Sequence, residues 1–311
     1  MLHVKSPLIK STCLSKLNNR EVYLKLENTQ PAATFKIRGI GHKIQKEIKN
    51  GKKEFVISSG GNAGYAAAYA ANNLNVPMKI FVPQSTDRSI IDKLEDENAN
   101  VEVAGQFFDQ ANERALEYAR SNNEVCFIHP FDDPDLWIGH ETLIQEIVEQ
   151  TEKPETIIAS VGGGGLAMGI INGLVKAGWD DVNLVTIETK GADCFYEAIK
   201  AKNRITLPKI TSIANCLGAL RVCEGLYDAY AKQTIPIKPY LVSDKDSIVA
   251  IRKFLDDHRI FVEPACGATL AALYSKEINL APKGGKIVAI VCGGAGISMR
   301  MLEDWEKKLL N

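Results

Sequence analysis

A chain of 311 residues exceeds what one typical hydrophobic core holds and is long enough for two packed lobes. Its 37 basic and 38 acidic residues leave a formal net charge of -1, which excludes the broad electrostatic footprint of a nucleic-acid or anionic-membrane binder. Seven scattered cysteines, an odd total with no CxxC pair, argue against a disulfide framework or a motif-built zinc site and for a reducing compartment. No apolar run with a small-residue cleavage site opens the chain, so the expected location is cytoplasmic.

Short β-rich runs alternate with longer amphipathic ones. In chain order the pattern predicts a strand over Phe55–Ser58, a helix over Ala63–Asn73, a strand over Lys79–Val82 and a helix over Ser89–Asn98. A strand over Val101–Val103 and helices over Phe107–Ser121 and Trp137–Glu149 follow. Next come a strand over Thr156–Ser160, a helix over Leu166–Ala177 and a strand over Leu184–Ile187. A helix over Lys245–Asp257 and a strand over Ile287–Cys292 complete the series. Most strand runs are near-continuously apolar, as in parallel strands covered on both faces, so the fold class is α/β with open parallel sheets. Thr156 to Val175 carries no charge and is long enough for a bilayer, but Gly162 to Gly165 and Asn172 make it a strand, a glycine loop and a helix instead. Candidate joints at Gln30–Thr34 and Pro130–Asp135 divide the chain into a large lobe, 1–34 with 135–311, and an inserted lobe, 35–134.

Four constellations carry chemistry. The first is Thr34-Phe35-Lys36-Ile37-Arg38-Gly39. A lysine is most often a solvated surface cation, but one between Phe35 and Ile37 has a setting in which desolvation lowers the amine pKa and makes it a nucleophile. The second, Ser58-Ser59-Gly60-Gly61-Asn62-Ala63-Gly64, follows a strand and opens an alanine-rich helix; it is either a helix cap or an anion cradle. The third, Gly162 to Gly165, also lies between strand and helix and lets a phosphate approach the backbone. It has neither the P-loop lysine nor a GxGxxG spacing, although Glu188 downstream keeps a nicotinamide-dependent oxidoreductase open as a distant reading. The fourth is Cys292-Gly293-Gly294 at the carboxyl end of an apolar strand, where α/β sheets place ligands; a lone cysteine there is otherwise a small buried hydrophobe. The five histidines form no metal motif and no GxSxG elbow is present. Two anion-friendly loops and one candidate amine therefore point to a phosphorylated aldehyde cofactor.

These motifs resemble the fold-type II pyridoxal-phosphate enzymes, most closely the L-serine dehydratase/L-threonine deaminase branch. The resemblance rests, in order, on Thr34–Gly39, Ser58–Gly64, Pro130–Asp133, Gly139–Thr142, Gly162–Gly165, Val262–Gly267 and Cys292–Gly294. It implies a tryptophan synthase β-like fold of two open, mostly parallel twisted sheets with flanking helices, a homodimer, and water elimination from L-serine or L-threonine. By that resemblance Lys36 is the Schiff-base lysine, Phe35 packs on the cofactor ring, Asn62 bonds its hydroxyl, Gly162, Gly163, Gly164 and Gly165 hold its phosphate, and Cys292 faces its nitrogen. Ser59, Gly60, Gly61 and Asn62 would take the substrate carboxylate, and Phe131 would wall the pocket. The resemblance also implies a monovalent cation, K+ in the first instance, near Gly162, Glu188, Ala192, Cys216 and Leu217.

The chain departs from the pattern at Ala32-Ala33, at Gly60 and at Ala295-Gly296. Rival readings are a serine racemase with Ser59 as an acid/base on the opposite cofactor face, a β-replacing synthase, and a non-catalytic amino-acid or cofactor-binding protein.

Overall fold

Runs such as Thr156–Ser160 and Ile287–Val291 are apolar at nearly every position because helices cover both faces of their sheet, and both strands are buried throughout. The computed structural model describes residues 2–275, 278 and 280–310. Its strands, in chain order, are β1 (Leu8–Lys10), β2 (Val22–Leu26), β3 (Glu54–Ser58), β4 (Met78–Val82), β5 (Asn100–Val103), β6 (Val125–Phe127), β7 (Thr156–Ser160), β8 (Asn183–Thr189), β9 (Ile237–Val242) and β10 (Ile287–Val291). The first six helices are α1 (Thr12–Asn18), α2 (Lys36–Lys49), α3 (Asn62–Leu74), α4 (Arg88–Asp96), α5 (Phe108–Ser121) and α6 (Pro134–Gln150). They are followed by α7 (Gly165–Lys176), α8 (Cys194–Ala201), α9 (Glu224–Ala231), α10 (Asp244–His258), α11 (Pro264–Tyr274) and α12 (Met299–Leu310).

The strands form two sheets, one in the order β1-β2-β10-β7-β8-β9 and one in the order β5-β4-β3-β6. Every pairing is parallel except β1 with β2. All strands of the smaller sheet come from the middle of the chain, whereas both chain ends feed the larger one. Each sheet has its own apolar core, and Leu136 at the start of α6 packs into the smaller. Among the described residues no helix is long and apolar enough to cross a membrane.

The predicted helices appear with ends shifted by one to three residues, and their caps explain the starts. Asp133 accepts from the amide of Asp135 with Pro134 in the first turn, and Ser243 and Asp246 cap each other's amides at α10. The sequence pattern did not reveal α1, α2, α8, α9, α11, α12, β1, β2, β6 or β9. In α2 the helical signal is masked by Gly39, which close packing requires. A methyl group there would lie 2.6 Å from the Leu136 carbonyl oxygen, and one on Gly139 would lie 2.4 Å from the Arg38 carbonyl oxygen. The two backbones thus touch where α2 crosses α6. Helix α11 is buried all round and so shows no amphipathic period.

One residue beyond that crossing pair, Arg38 is fully buried and clamped by two carboxylates. It donates to Glu27 at 2.6 and 2.8 Å and to Glu146 at 2.7 and 2.8 Å. Lys25, also buried, donates to Glu146 at 2.5 Å and to the Ser6 carbonyl at 2.8 Å. Burial pushes the Glu146 carboxyl upward, but Arg38 and Lys25 prevail and hold it below the usual range. Two cations facing two anions make the cluster neutral, so removing one member leaves an uncompensated buried charge. We expect Arg38→Ala to cost about 3–5 kcal/mol in urea unfolding, and Gly139→Ala about 1–3 kcal/mol through overpacking of the crossing.

Candidate active site

Parallel strands end on one side, and that is where the chemical groups collect. The chain after β7 runs through Gly162 to Gly165 into α7, whose first amides have no partner within the helix. Gly164 has φ +99°, a left-handed conformation, and a methyl group on it would meet Cys223 Sγ at 2.7 Å. A methyl group on Gly163 would fall 2.2 Å from the Phe131 ring, so this loop must be bare backbone to lie against that side chain. Phe131 is held from behind: Trp137 Nε1 donates to its carbonyl at 2.8 Å, and the His129 ring meets it edge-on at 4.7 Å.

The segment before α2 is pinned to the end of β10. Phe35 N donates to the Cys292 carbonyl at 3.1 Å, Gly294 N donates to the Ala33 carbonyl at 3.1 Å, and Thr34 and Gly293 form an antiparallel bridge. Ala33, where the resembled pattern has glycine, sits at φ +51°. Lys36 follows as the first residue of α2. Its Nζ donates to the Pro130 carbonyl at 2.8 Å and lies 5.5 Å from the centre of the Phe35 ring. Burial lowers the amine's pKa to about 8, against a smaller opposing pull from Cys216, Glu263 and Cys292.

Lys36 and Phe35 share one cleft with Asn62, Phe131, Gly162 to Gly165, Cys216, Leu217 and Cys292, so most of the sequence-predicted residues meet. Ser59, Gly60 and Gly61 do not line it; they form the turn ahead of Asn62, where Gly61 N donates to Ser59 Oγ at 3.2 Å. A methyl group on Gly64 would sit 1.9 Å from the Ser59 carbonyl oxygen, which explains that glycine. Glu188 and Ala192 also lie off the cleft lining. The Glu188 carboxylate accepts from the amides of Phe195 and Tyr196 at 2.9 and 2.7 Å, and burial pushes its pKa up to about 8.

Two further polar residues line the cleft, Glu263 and Ser160. Glu263, fully buried, accepts from Asn62 Nδ2 at 2.6 Å and from Cys216 Sγ at 3.5 Å, and burial raises its pKa. Ser160 Oγ lies 3.5 Å from Cys292 Sγ, which in turn lies 3.2 Å from Cys266 Sγ. The only sequence signal for Glu263 was its place in Val262–Gly267, a motif that named no role for it.

The donor set fits a phosphorylated pyridine aldehyde. Asn62 Oδ1 is buried without a partner and is free to accept from a ring hydroxyl. The glycine loop offers amides at a helix N-terminus to a phosphate. A desolvated amine shares the cleft with both.

Comparison with known proteins agrees with this geometry. Residues 1–293 match the family model described as pyridoxal-phosphate dependent enzyme. The chain is 45% identical over 316 residues to the human L-serine dehydratase/L-threonine deaminase, covering 99% of this chain and 96% of that one. The crystal structure of a fungal L-serine ammonia-lyase from Rhizomucor miehei superposes with a TM-score of 0.93 at 31% identity, covering 99% of both chains. That of maize serine racemase superposes with a TM-score of 0.89 at 25% identity, covering 99% of this chain and 93% of that one. The motif order, the geometry of the cleft and the full-length match lead to one conclusion: the chain belongs to the pyridoxal-phosphate dependent enzymes.

Proposed function

We propose that this protein is an L-serine/L-threonine ammonia-lyase, removing water from L-serine or L-threonine and yielding ammonia with pyruvate or 2-oxobutanoate. The observation that carries this reading is the meeting of Lys36, Asn62, the four-glycine loop and Cys292 in one cleft. Pyridoxal phosphate, when bound, supplies the electron sink that makes the substrate Cα proton acidic. Lys36 tethers it and, once free, carries the proton away from Cα, a task suited to an amine whose pKa, lowered to about 8, leaves a far larger neutral fraction near neutrality than an ordinary lysine has. Gly162 to Gly165 hold the phosphate, Asn62 bonds the ring hydroxyl, and Phe35 packs on the ring. The turn Ser59 to Asn62, of which Asn62 lines the cleft, would receive the substrate carboxylate at the cleft's edge, and Phe131 would wall it.

Cys292, in the cleft lining, would face the ring nitrogen. A thiol is a weak hydrogen-bond partner, unlike an aspartate, so it leaves that nitrogen unprotonated and moderates the electron sink. That favours prompt loss of the β-hydroxyl. We further propose a monovalent cation, K+ in the first instance, bound mainly by carbonyl oxygens around Gly162, Ala192, Cys216 and Leu217 beside Glu188. Gly162 supports this placement: a methyl group on it would lie 3.0 Å from Leu217 Cα and 3.2 Å from the Cys216 carbonyl oxygen. Glu188, with amides as its partners, would gain a counter-charge there. We expect a homodimer, measurable by light scattering.

Three measurements test the reading. Wild type should show the yellow absorbance of a lysine-bound cofactor and form keto acid and ammonia, and Lys36→Ala should lose both. D-serine formation without keto acid would instead make it a racemase acting through Ser59, and a yellow protein forming neither would make it a binding protein. Reconstitution of cofactor-free protein should follow the neutral fraction of Lys36. Divided by the rate of a free alkylamine of ordinary pKa, its rate should stay constant below about pH 8 and fall roughly tenfold per pH unit from there to 10.5, whereas an ordinary lysine would give a flat ratio throughout. Exchange of K+ for Li+ should lower the rate of wild type and have little further effect on Glu188→Gln.

A further inference from the structure

Away from the cleft, three potential metal ligands converge. Cys13 lies in α1, Asp257 and His258 form the end of α10, and one ligand atom from each lies within 4.8 Å of the others. Cys13 Sγ is 3.6 Å from His258 Nε2. Zinc bonds of about 2.3 Å to sulfur and 2.0–2.1 Å to nitrogen, at a tetrahedral angle, put those two atoms about 3.6 Å apart. A thiol–imidazole hydrogen bond would give a similar distance; the Asp257 carboxylate, within 4.8 Å of both, is what adds a third donor.

The surroundings orient the ligands. The Phe254 ring stacks on the His258 imidazole with centroids 4.4 Å apart and an interplanar angle of 30°. Tyr274 donates its hydroxyl to Asp257 Oδ2 at 2.7 Å. Ser11 Oγ, which caps α1 by accepting from Leu14 N, lies 2.8 Å from His258 Nε2 and 3.3 Å from Cys13 Sγ. The Tyr274 bond holds Asp257 as an outer partner holds a zinc ligand, whereas Ser11 Oγ contacts the same Nε2 that the ion would take and would yield it on binding.

We propose that Cys13, Asp257 and His258 form a zinc-binding site with water as the fourth ligand. A thiolate, an imidazole and a carboxylate are the donor set of a borderline cation in four-coordinate geometry. The ion would tie the first helix to the end of α10 across most of the chain. Tyr274 ends α11, whose first turn lines the cleft, so the site stands about 15 Å along that helix from the cofactor. An ion that binds the folded chain in preference to the unfolded one raises its stability.

The experiment uses holoenzyme freed of unbound cofactor and titrated with Zn2+ against a chelating dye, with Co2+ as a spectroscopic stand-in. The expected result is one tight equivalent, visible d–d bands of a tetrahedral Co2+ site, and affinity at least about tenfold weaker in Cys13→Ser and in His258→Gln. Zn2+ should also shield Cys13 of wild type from iodoacetamide, read by peptide mass, which decides the matter even where a variant fails to fold. No Zn2+ uptake, uptake unchanged in both variants, or protection of Cys216 with Cys13 left reactive would overturn the proposal.

Discussion

The position of the reactive lysine depends on a buried guanidinium two residues away. Arg38 is bonded to Glu27 beyond the end of β2 and to Glu146 on α6, and Lys25 of β2 completes the cluster. Charges removed from water repay their desolvation poorly, so such a cluster contributes little net stability compared with an apolar core. What it supplies is registry. Helix α2 is free neither to slide along its axis nor to rotate about it, because four hydrogen bonds from one planar guanidinium must meet two carboxylates. The contact of Gly39 with Gly139 closes the remaining gap, and Lys36, one turn back, inherits its place from both.

Parallel pairing then decides what Lys36 faces. Because β7 and β10 run the same way, the glycine loop and Cys292 emerge on one side of the larger sheet. The bridge from Thr34 to Gly293 brings the lysine segment to the same side. Strand β3 of the smaller sheet delivers Asn62 at the opening of α3, and Asn62 is joined to Glu263 at the start of α11 in the larger one. The cleft is therefore lined from both sheets, each contributing what its strand ends present.

The electrostatics of the cleft favour neutral forms. Burial lowers the Lys36 pKa and raises that of Glu263. Among the described residues lining it, Lys36 is the cation and Glu263 the acid. An anionic phosphate is thus left to backbone dipoles at the start of α7, which cannot titrate and leave the amine free for proton transfer.

By itself the sequence determined the fold class, most of the parallel strands and the glycine loops. These signals are local: apolar runs, caps, and four successive glycines that no ordinary turn requires. It also singled out Lys36, Asn62 and Cys292, through their neighbours and the order of motifs. Helix α2 was hidden because Gly39 serves a contact with a residue a hundred positions away, and α11 because burial on all sides erases periodicity. Glu263 acquired a role only when folding brought it to Asn62, and Cys13 met Asp257 and His258 only across the width of the chain. Tertiary structure alone decided these, because a side chain's pKa, partners and ligands are set by what lies within a few ångströms of it, and sequence spacing carries that information only inside a single strand, helix or loop.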